Sequence, residues 1–116
     1  MDTIRLLQQV LNIRSFYQRL IAGNIANSDT PHYKEKDIDF LKELNKRIEA
    51  DPGKTDDYNV IEKDVQEGII SIDGNTTNME EQMVKLNENS MLYNATVQII
   101  TKKFSMIKYA ITEGRR

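Results

Sequence analysis

MEEQMVKLNENSMLYNATVQIITKKFSMIKYAI, residues 79–111, decides how the rest of the chain is read. Met79, Met83, Leu86, Ser90, Tyr93, Val97, Ile100, Phe104, Ile107 and Ile111 alternate spacings of four and three without a break. This is a heptad seam, and only Ser90 in it is polar. A single helix over these residues extends about 50 Å at 1.5 Å per residue. Asp73-Gly74 reads as a turn before it, Asn78 as its N-cap, and Glu81 as the capping-box partner three residues on. Gly114 ends the pattern, and Arg115 and Arg116 suit the negative end of a helix.

A matching seam lies at the other end of the chain. Leu6, Val10, Ile13, Tyr17 and Leu20 repeat at the same spacing, and the seam runs on through Asn24 and Asn27. The expected fold is therefore mainly α: two long antiparallel helices, N- and C-terminal, forming a coiled-coil-like pair around a small irregular or β-containing insertion. Each helix also carries apolar residues beside its seam. These are Ile4, Leu7, Leu11, Ile21 and Ile25 in the first, and Leu92, Ile99 and Met106 in the second. One seam per helix would leave such stripes bare. Either they widen the core of one small bundle, or they meet neighbouring subunits. On the second reading Leu7, Leu11, Ile21, Ile25, Leu92, Ile99 and Met106 are the candidate inter-subunit contacts.

The first helix stops abruptly in NIANSDTPHYKEKDIDF, residues 24–40. Asn27, Ser28 and Asp29 offer side-chain bonds that compete with helix continuation. Pro31 has no N–H and pushes Thr30 toward extended geometry. The chain should leave the helix at about Asn27, with Tyr33, Ile38 and Phe40 as later apolar anchors. Residues 1–28 and 78–113 then make one helical domain from both termini, and 29–77 an intermediate extended or loop region. Leu41, Leu44 and Ile48 suggest a short helix over 40–50, and DPGKTDD reads as a loop. Two β-branched clusters, Val60-Ile61 and Ile69 to Ile72, allow a hairpin over 58–73.

Composition removes several function classes. Sixteen basic and eighteen acidic residues are intermixed, so nothing favours nucleic acid or an anionic membrane. Apolar runs are too short to span a bilayer. The first residues lack the basic segment and apolar core of a cleaved secretory signal. There is no cysteine, hence no disulfide, thiol nucleophile or cysteine metal site. His32 is the only histidine, beside a proline in a loop, and the five glycines are scattered rather than gathered into a phosphate-binding loop. An enzyme needs a positioned acid, base, nucleophile or metal. The expectation is no enzyme, no catalytic, cofactor or metal residues, no cofactor and no small-molecule substrate.

Two stretches resemble a known family. LIAGNIANSDTPHYKEKDIDF (residues 20–40) is similar to the N-terminal signature of bacterial flagellar rod and hook proteins, roughly A-N-x-A-N-x-x-T-P-G-Y. Asn24, Ala26, Asn27, Thr30, Pro31 and Tyr33 carry it here. The continuation Asp37, Ile38, Asp39 and Phe40 resembles the B-type proximal-rod subunits of the basal body. Residues 73–111 resemble that family's C-terminal helix through Gly74-Asn75-Thr76, Asn78-Met79, Glu88-Asn89, Tyr93 and Ala95. His32 stands where the family has glycine, Gly23 where alanine is common, and Asn78 where aspartate is frequent. The match spans about 60 residues at both ends of the chain.

The resemblance implies a non-catalytic subunit of the cell-proximal rod, the drive shaft crossing the periplasm. It implies synthesis in the cytoplasm and export through the flagellar type III apparatus without a cleaved signal. Implied partners are copies of itself, other rod subunits, the adaptor joining the rod to the membrane ring, and the export apparatus. A C-type rod paralogue, or a soluble coiled-coil adaptor or export chaperone, shares parts of the pattern. Energetics point the same way as the resemblance. Ordering a residue costs roughly 1.5 kcal/mol, while burying a large apolar side chain returns about 1.5–3 kcal/mol. A single seam cannot carry two long helices and the insertion. The free chain is therefore expected to be only partly ordered until neighbours complete it.

Overall fold

Asp2 opens the first element by accepting a hydrogen bond from the Ile4 N–H at 3.3 Å, and its charge suits the positive end of a helix. In the computed structural model, which describes residues 2–50, 57–63 and 77–114, five elements follow in order. They are α1 (Thr3–Ala26), β1 (Lys36–Asp37), α2 (Phe40–Glu49), β2 (Ile61–Glu62) and α3 (Met79–Glu113). The chain is mainly helical, with two long terminal helices packed along each other and a small strand pair between them in sequence. The molecule is elongated, 70 × 28 × 20 Å.

The local signals explain where each element stops. Asn27 caps the end of α1: its amide Nδ2 donates to the Gly23 carbonyl at 2.8 Å, and its backbone N–H donates to the same oxygen at 3.0 Å. The Thr30 hydroxyl in turn donates to Asn27 Oδ1 at 3.1 Å. A turn follows over Thr30–Tyr33, closed by the Tyr33 N–H on the Thr30 carbonyl at 3.3 Å. Pro31 holds its second position. His32, at the third, has φ 62°, the left-handed value that a type II turn demands there and that glycine meets without strain. This gives a physical reason for the glycine of the related signature.

Asn78 Oδ1 caps α3 by accepting from the Glu80 and Glu81 N–H groups at 3.0 and 3.3 Å. The Glu81 carboxylate does not close the expected capping box. It lies 3.3 Å from Lys85 Nζ and 3.8 Å from Lys63 Nζ, since two ammonium groups attract it more than one amide does. Gly114 ends the helix.

The insertion folds back onto α1. Asp39 caps α2 through the Lys42 N–H at 3.3 Å. Phe16 of α1 stacks on Tyr58, centroids 3.8 Å apart and planes within 5°. Arg47 lies over the other side of this pair, 4.0 Å from the Tyr58 centroid. Its Nη1 donates to Glu43 Oε2 at 3.0 Å, while Glu43 Oε1 accepts from the Asn59 N–H at 2.8 Å. β1 and β2 pair antiparallel, Lys36 opposite Glu62 and Asp37 opposite Ile61. The hairpin expected over 58–73 falls largely outside the described residues, as does its Ile69–Ile72 arm. Its described strand, β2, has β1 as partner.

Candidate functional site

The face that joins α3 to α1 is polar. Gln82, Asn89 and Thr96, seven residues apart, are 0%, 2% and 8% exposed. Leu86, Ser90 and Ile100 lie at its edge, half-buried. Asn89 Nδ2 donates to the Arg14 carbonyl at 2.9 Å and to Gln18 Oε1 at 2.7 Å. Gln18 Nε2 donates to the Ser90 hydroxyl at 3.2 Å. The Thr96 hydroxyl turns back to the Leu92 carbonyl at 2.8 Å. The expected seam on α3 is accordingly rotated out of the interface. Met79, Met83, Tyr93, Val97, Phe104, Ile107 and Ile111 are all exposed. Sequence period identifies an apolar face but not its partner, and here polar side chains with specific partners take the inner position.

On α1 the residues of the expected seam range from buried to half-buried. Ile13 is fully buried, and Leu6, Val10, Tyr17 and Leu20 are half-buried. Among the candidate inter-subunit contacts, Ile21 belongs to the chain's own core, a correction to the sequence reading. It lies one turn before Asn24 on α1. Leu7, Leu11 and Ile25 are half-buried, whereas Leu92, Ile99 and Met106 are exposed.

The pairing leaves α3 longer than its partner. Gln18 lies against Asn89; fifteen residues back along α1 is Thr3, and fifteen on along α3 is Phe104. Every residue from Phe104 to Gly114 is exposed, with Met106 at 67% and Tyr109 at 68%. The exposed apolar face of α3 thus runs the length of the helix and continues past the end of α1.

At the opposite end, the signature residues tie the insertion to both helices. Asn24 is buried and uses all four hydrogen-bonding positions of its carboxamide. Nδ2 donates to the Lys36 carbonyl at 2.8 Å and to Gln82 Oε1 at 3.0 Å. Oδ1 accepts from the Lys36 N–H at 3.0 Å and from the Tyr33 hydroxyl at 2.9 Å. Ile38 is buried beyond β1, and Phe40 lies under the Arg14 guanidinium, 4.0 Å from its ring centroid. Asp37 Oδ1 accepts from the Ile38 N–H at 2.8 Å. Ala26 and Pro31 are exposed. Asn24 and Asn27 therefore differ in role, the first a buried hub and the second a helix cap.

Glu35 is the charged centre beside this hub. It accepts from Gln82 Nε2 and lies 3.0 Å from Lys85 Nζ and 3.3 Å from Lys63 Nζ. Burial alone would raise its carboxyl, but Lys85, Gln82 and Lys63 outweigh that and hold it below the usual carboxylate range. Lys85 is raised in return: burial opposes its charge, and the Glu35 carboxylate more than compensates. Burial first, and then Asp37, push the Tyr17 phenol up. Sequence reading missed Gln82, Glu35 and Lys85 because each sits among charged residues that look like a solvated face. The regular spacing of Gln82, Asn89 and Thr96 was the available signal.

This arrangement ties α1, α3 and the insertion of one chain together. Among the described residues no group of three or more His, Asp or Glu side chains could hold a metal ion. No described helix is long and apolar enough to cross a membrane.

No family model matches the chain. It is similar over nearly its whole length to several curated proteins named flagellar basal body rod protein FlgB. The Bacillus subtilis protein is 31% identical, the match covering 97% of this chain and 95% of that one. The Buchnera aphidicola protein is 32% identical over 90% of each. The Proteus mirabilis protein is 29% identical over 97% of this chain and 96% of its own.

Proposed function

The chain belongs to the FlgB family of flagellar basal body rod proteins and is a structural subunit of that rod, and on this footing we propose that the exposed apolar face of α3 is its assembly surface. The observation that carries the reading is the inversion of α3. A lone soluble hairpin would hide Met83, Val97, Ile99, Phe104 and Met106 and expose Gln82 and Asn89; this one does the reverse. An apolar face of this length on a small chain is an association surface or an aggregation hazard. Subunits with such faces gain order and stability from their neighbours.

The partners on this reading are copies of the same chain, other rod subunits and the adaptor between rod and membrane ring. The location is the proximal rod across the periplasm, reached through the type III export apparatus without a cleaved signal. A chain whose buried apolar residues, among those described, are Ile13, Ile21 and Ile38 has little core to undo before passage through a narrow channel. Long helices in lateral contact would then carry torque along the shaft.

Ile99→Asp and Met106→Asp test this reading. Both side chains are exposed in the single chain, so the dilute protein should keep its circular dichroism spectrum. Incorporation into basal bodies and motility should be lost, because a buried unpaired charge is expensive. Motile cells carrying both changes would defeat the proposal. Sedimentation separates it from the adaptor or chaperone alternative, which requires a defined monomer or dimer that does not extend into polymers as concentration rises.

A further inference from the structure

We infer that the buried polar pairs between α1 and α3 fix the register of the helical hairpin and the face with which α3 meets α1. Apolar heptads are poor at this task. A seam of similar side chains repeats every seven residues, so a slip of one heptad replaces each contact with a near equivalent. Carboxamides are not interchangeable in that way, because each must find its own donor and acceptor.

Gln82 and Asn89 each have partners across the interface that occur once. Gln82 meets Asn24 and Glu35. Asn89 meets the Arg14 carbonyl and Gln18, and its Oδ1 accepts from Arg14 Nη1 at 3.4 Å. After a one-heptad slip Asn89 would face Asn24, and Thr96 would face Gln18. The Thr96 hydroxyl is short and already bonded to its own helix at Leu92. Gln18 would lose its amide partner, and Glu35 would lose Gln82. Rotating α3 to bury Met83 and Val97 would likewise carry Gln82 and Asn89 away from every one of these groups. The polar set therefore rejects both the slipped and the rotated hairpin. It thereby decides the height at which α3 projects past α1, and which of its faces looks outward. The inference concerns the single chain and does not depend on what covers the outer face.

The chain has no cysteine, so cross-linking can read the register directly in the full-length protein. Ser15→Cys with Asn94→Cys reports the observed register, since both residues line one groove between the helices and neither belongs to the polar set. Ser15→Cys with Thr101→Cys reports a slip of one heptad. With a short bis-maleimide in dilute solution, the first pair should link at least about tenfold faster than the second. Adding Gln82→Leu and Asn89→Leu to both backgrounds should bring the two rates within about threefold. A ratio that stays at its starting value overturns the proposal. If the double leucine variant loses its helical dichroism, Asn89→Ala decides the matter. It removes the carboxamide without adding bulk, and the ratio must fall in it too; an unchanged ratio there is equally fatal.

Discussion

The Asn24 side chain pairs with the backbone of Lys36 at two points, its Nδ2 donating to the Lys36 carbonyl at 2.8 Å and its Oδ1 accepting the Lys36 N–H at 3.0 Å. The carboxamide acts as a peptide group from a strand that is not there, on the edge of β1 away from β2. Because the same side chain also holds Gln82 and Tyr33, one residue joins α1, α3 and the insertion. Asn24→Ala should cost about 3 kcal/mol, since buried groups on three partners are left unpaired. Urea unfolding followed by circular dichroism measures this. A loss below about 1 kcal/mol would mean that the partners find substitutes.

His32→Gly should stabilise the chain. Relief of the left-handed conformation at φ 62° is worth about 1–2 kcal/mol, and the added freedom of the unfolded glycine takes back about 0.4–1 kcal/mol. The net gain of roughly 0.5–1 kcal/mol corresponds to a rise of a few degrees in Tm. A fall in Tm would show that the imidazole makes a contact worth more than the strain.

Gly23→Ala should also stabilise, by about 0.5–1 kcal/mol, because alanine is the better helix former and a Cβ at Gly23 meets nothing within 4 Å. The same variant separates folding from assembly. A chain that melts higher yet enters basal bodies poorly would place Gly23 against a neighbour. A chain that melts no higher would contradict the open space seen here.

The Glu35–Lys85 pair makes stability depend on pH in a defined window. Glu35 has a depressed carboxyl pKa, so its contribution is present above the unfolded value of about 4.3 and is lost as pH falls through the folded value. Lys85 is raised; its contribution is complete below the unfolded value of about 10.4 and is lost only as pH rises through the still higher folded value. Full strength therefore spans about pH 5 to 10. Thermal melts between pH 7 and pH 3 should show a declining Tm. Glu35→Gln should be less stable at pH 7 and decline less steeply. Parallel declines in both proteins would remove Glu35 from the account.

Lys85→Ala should cost more than an exposed lysine would. It removes the closer of the two lysines that face the nearly buried Glu35 carboxylate; the other, Lys63, is partly solvated. Loss of one partner from a buried pair costs about 3 kcal/mol. Glu35→Gln with Lys85→Met should recover much of that, as removing both charges leaves nothing uncompensated. A double variant as unstable as Lys85→Ala would show that the loss comes from packing.

Residue order alone determined the two long helices, through the four-three period of Leu6 to Leu20 and of Met79 to Ile111. It also determined the stop at Asn27, the caps at Asn78 and Gly114, and the family, because caps, stops and periods are local properties that a few neighbouring residues specify. Tertiary structure decided which face of α3 turns inward. An apolar period says that a face avoids water, not whether its cover comes from the same chain or another, and the inner position went to Gln82, Asn89 and Thr96 instead. It also decided that Asn24 would serve Lys36, Tyr33 and Gln82, that β2 would pair with β1, and that Glu35 would be buried between two lysines. Those choices are made between residues up to 75 apart in sequence, by hydrogen-bonding groups that each need a particular partner, and no local pattern records which partner that is.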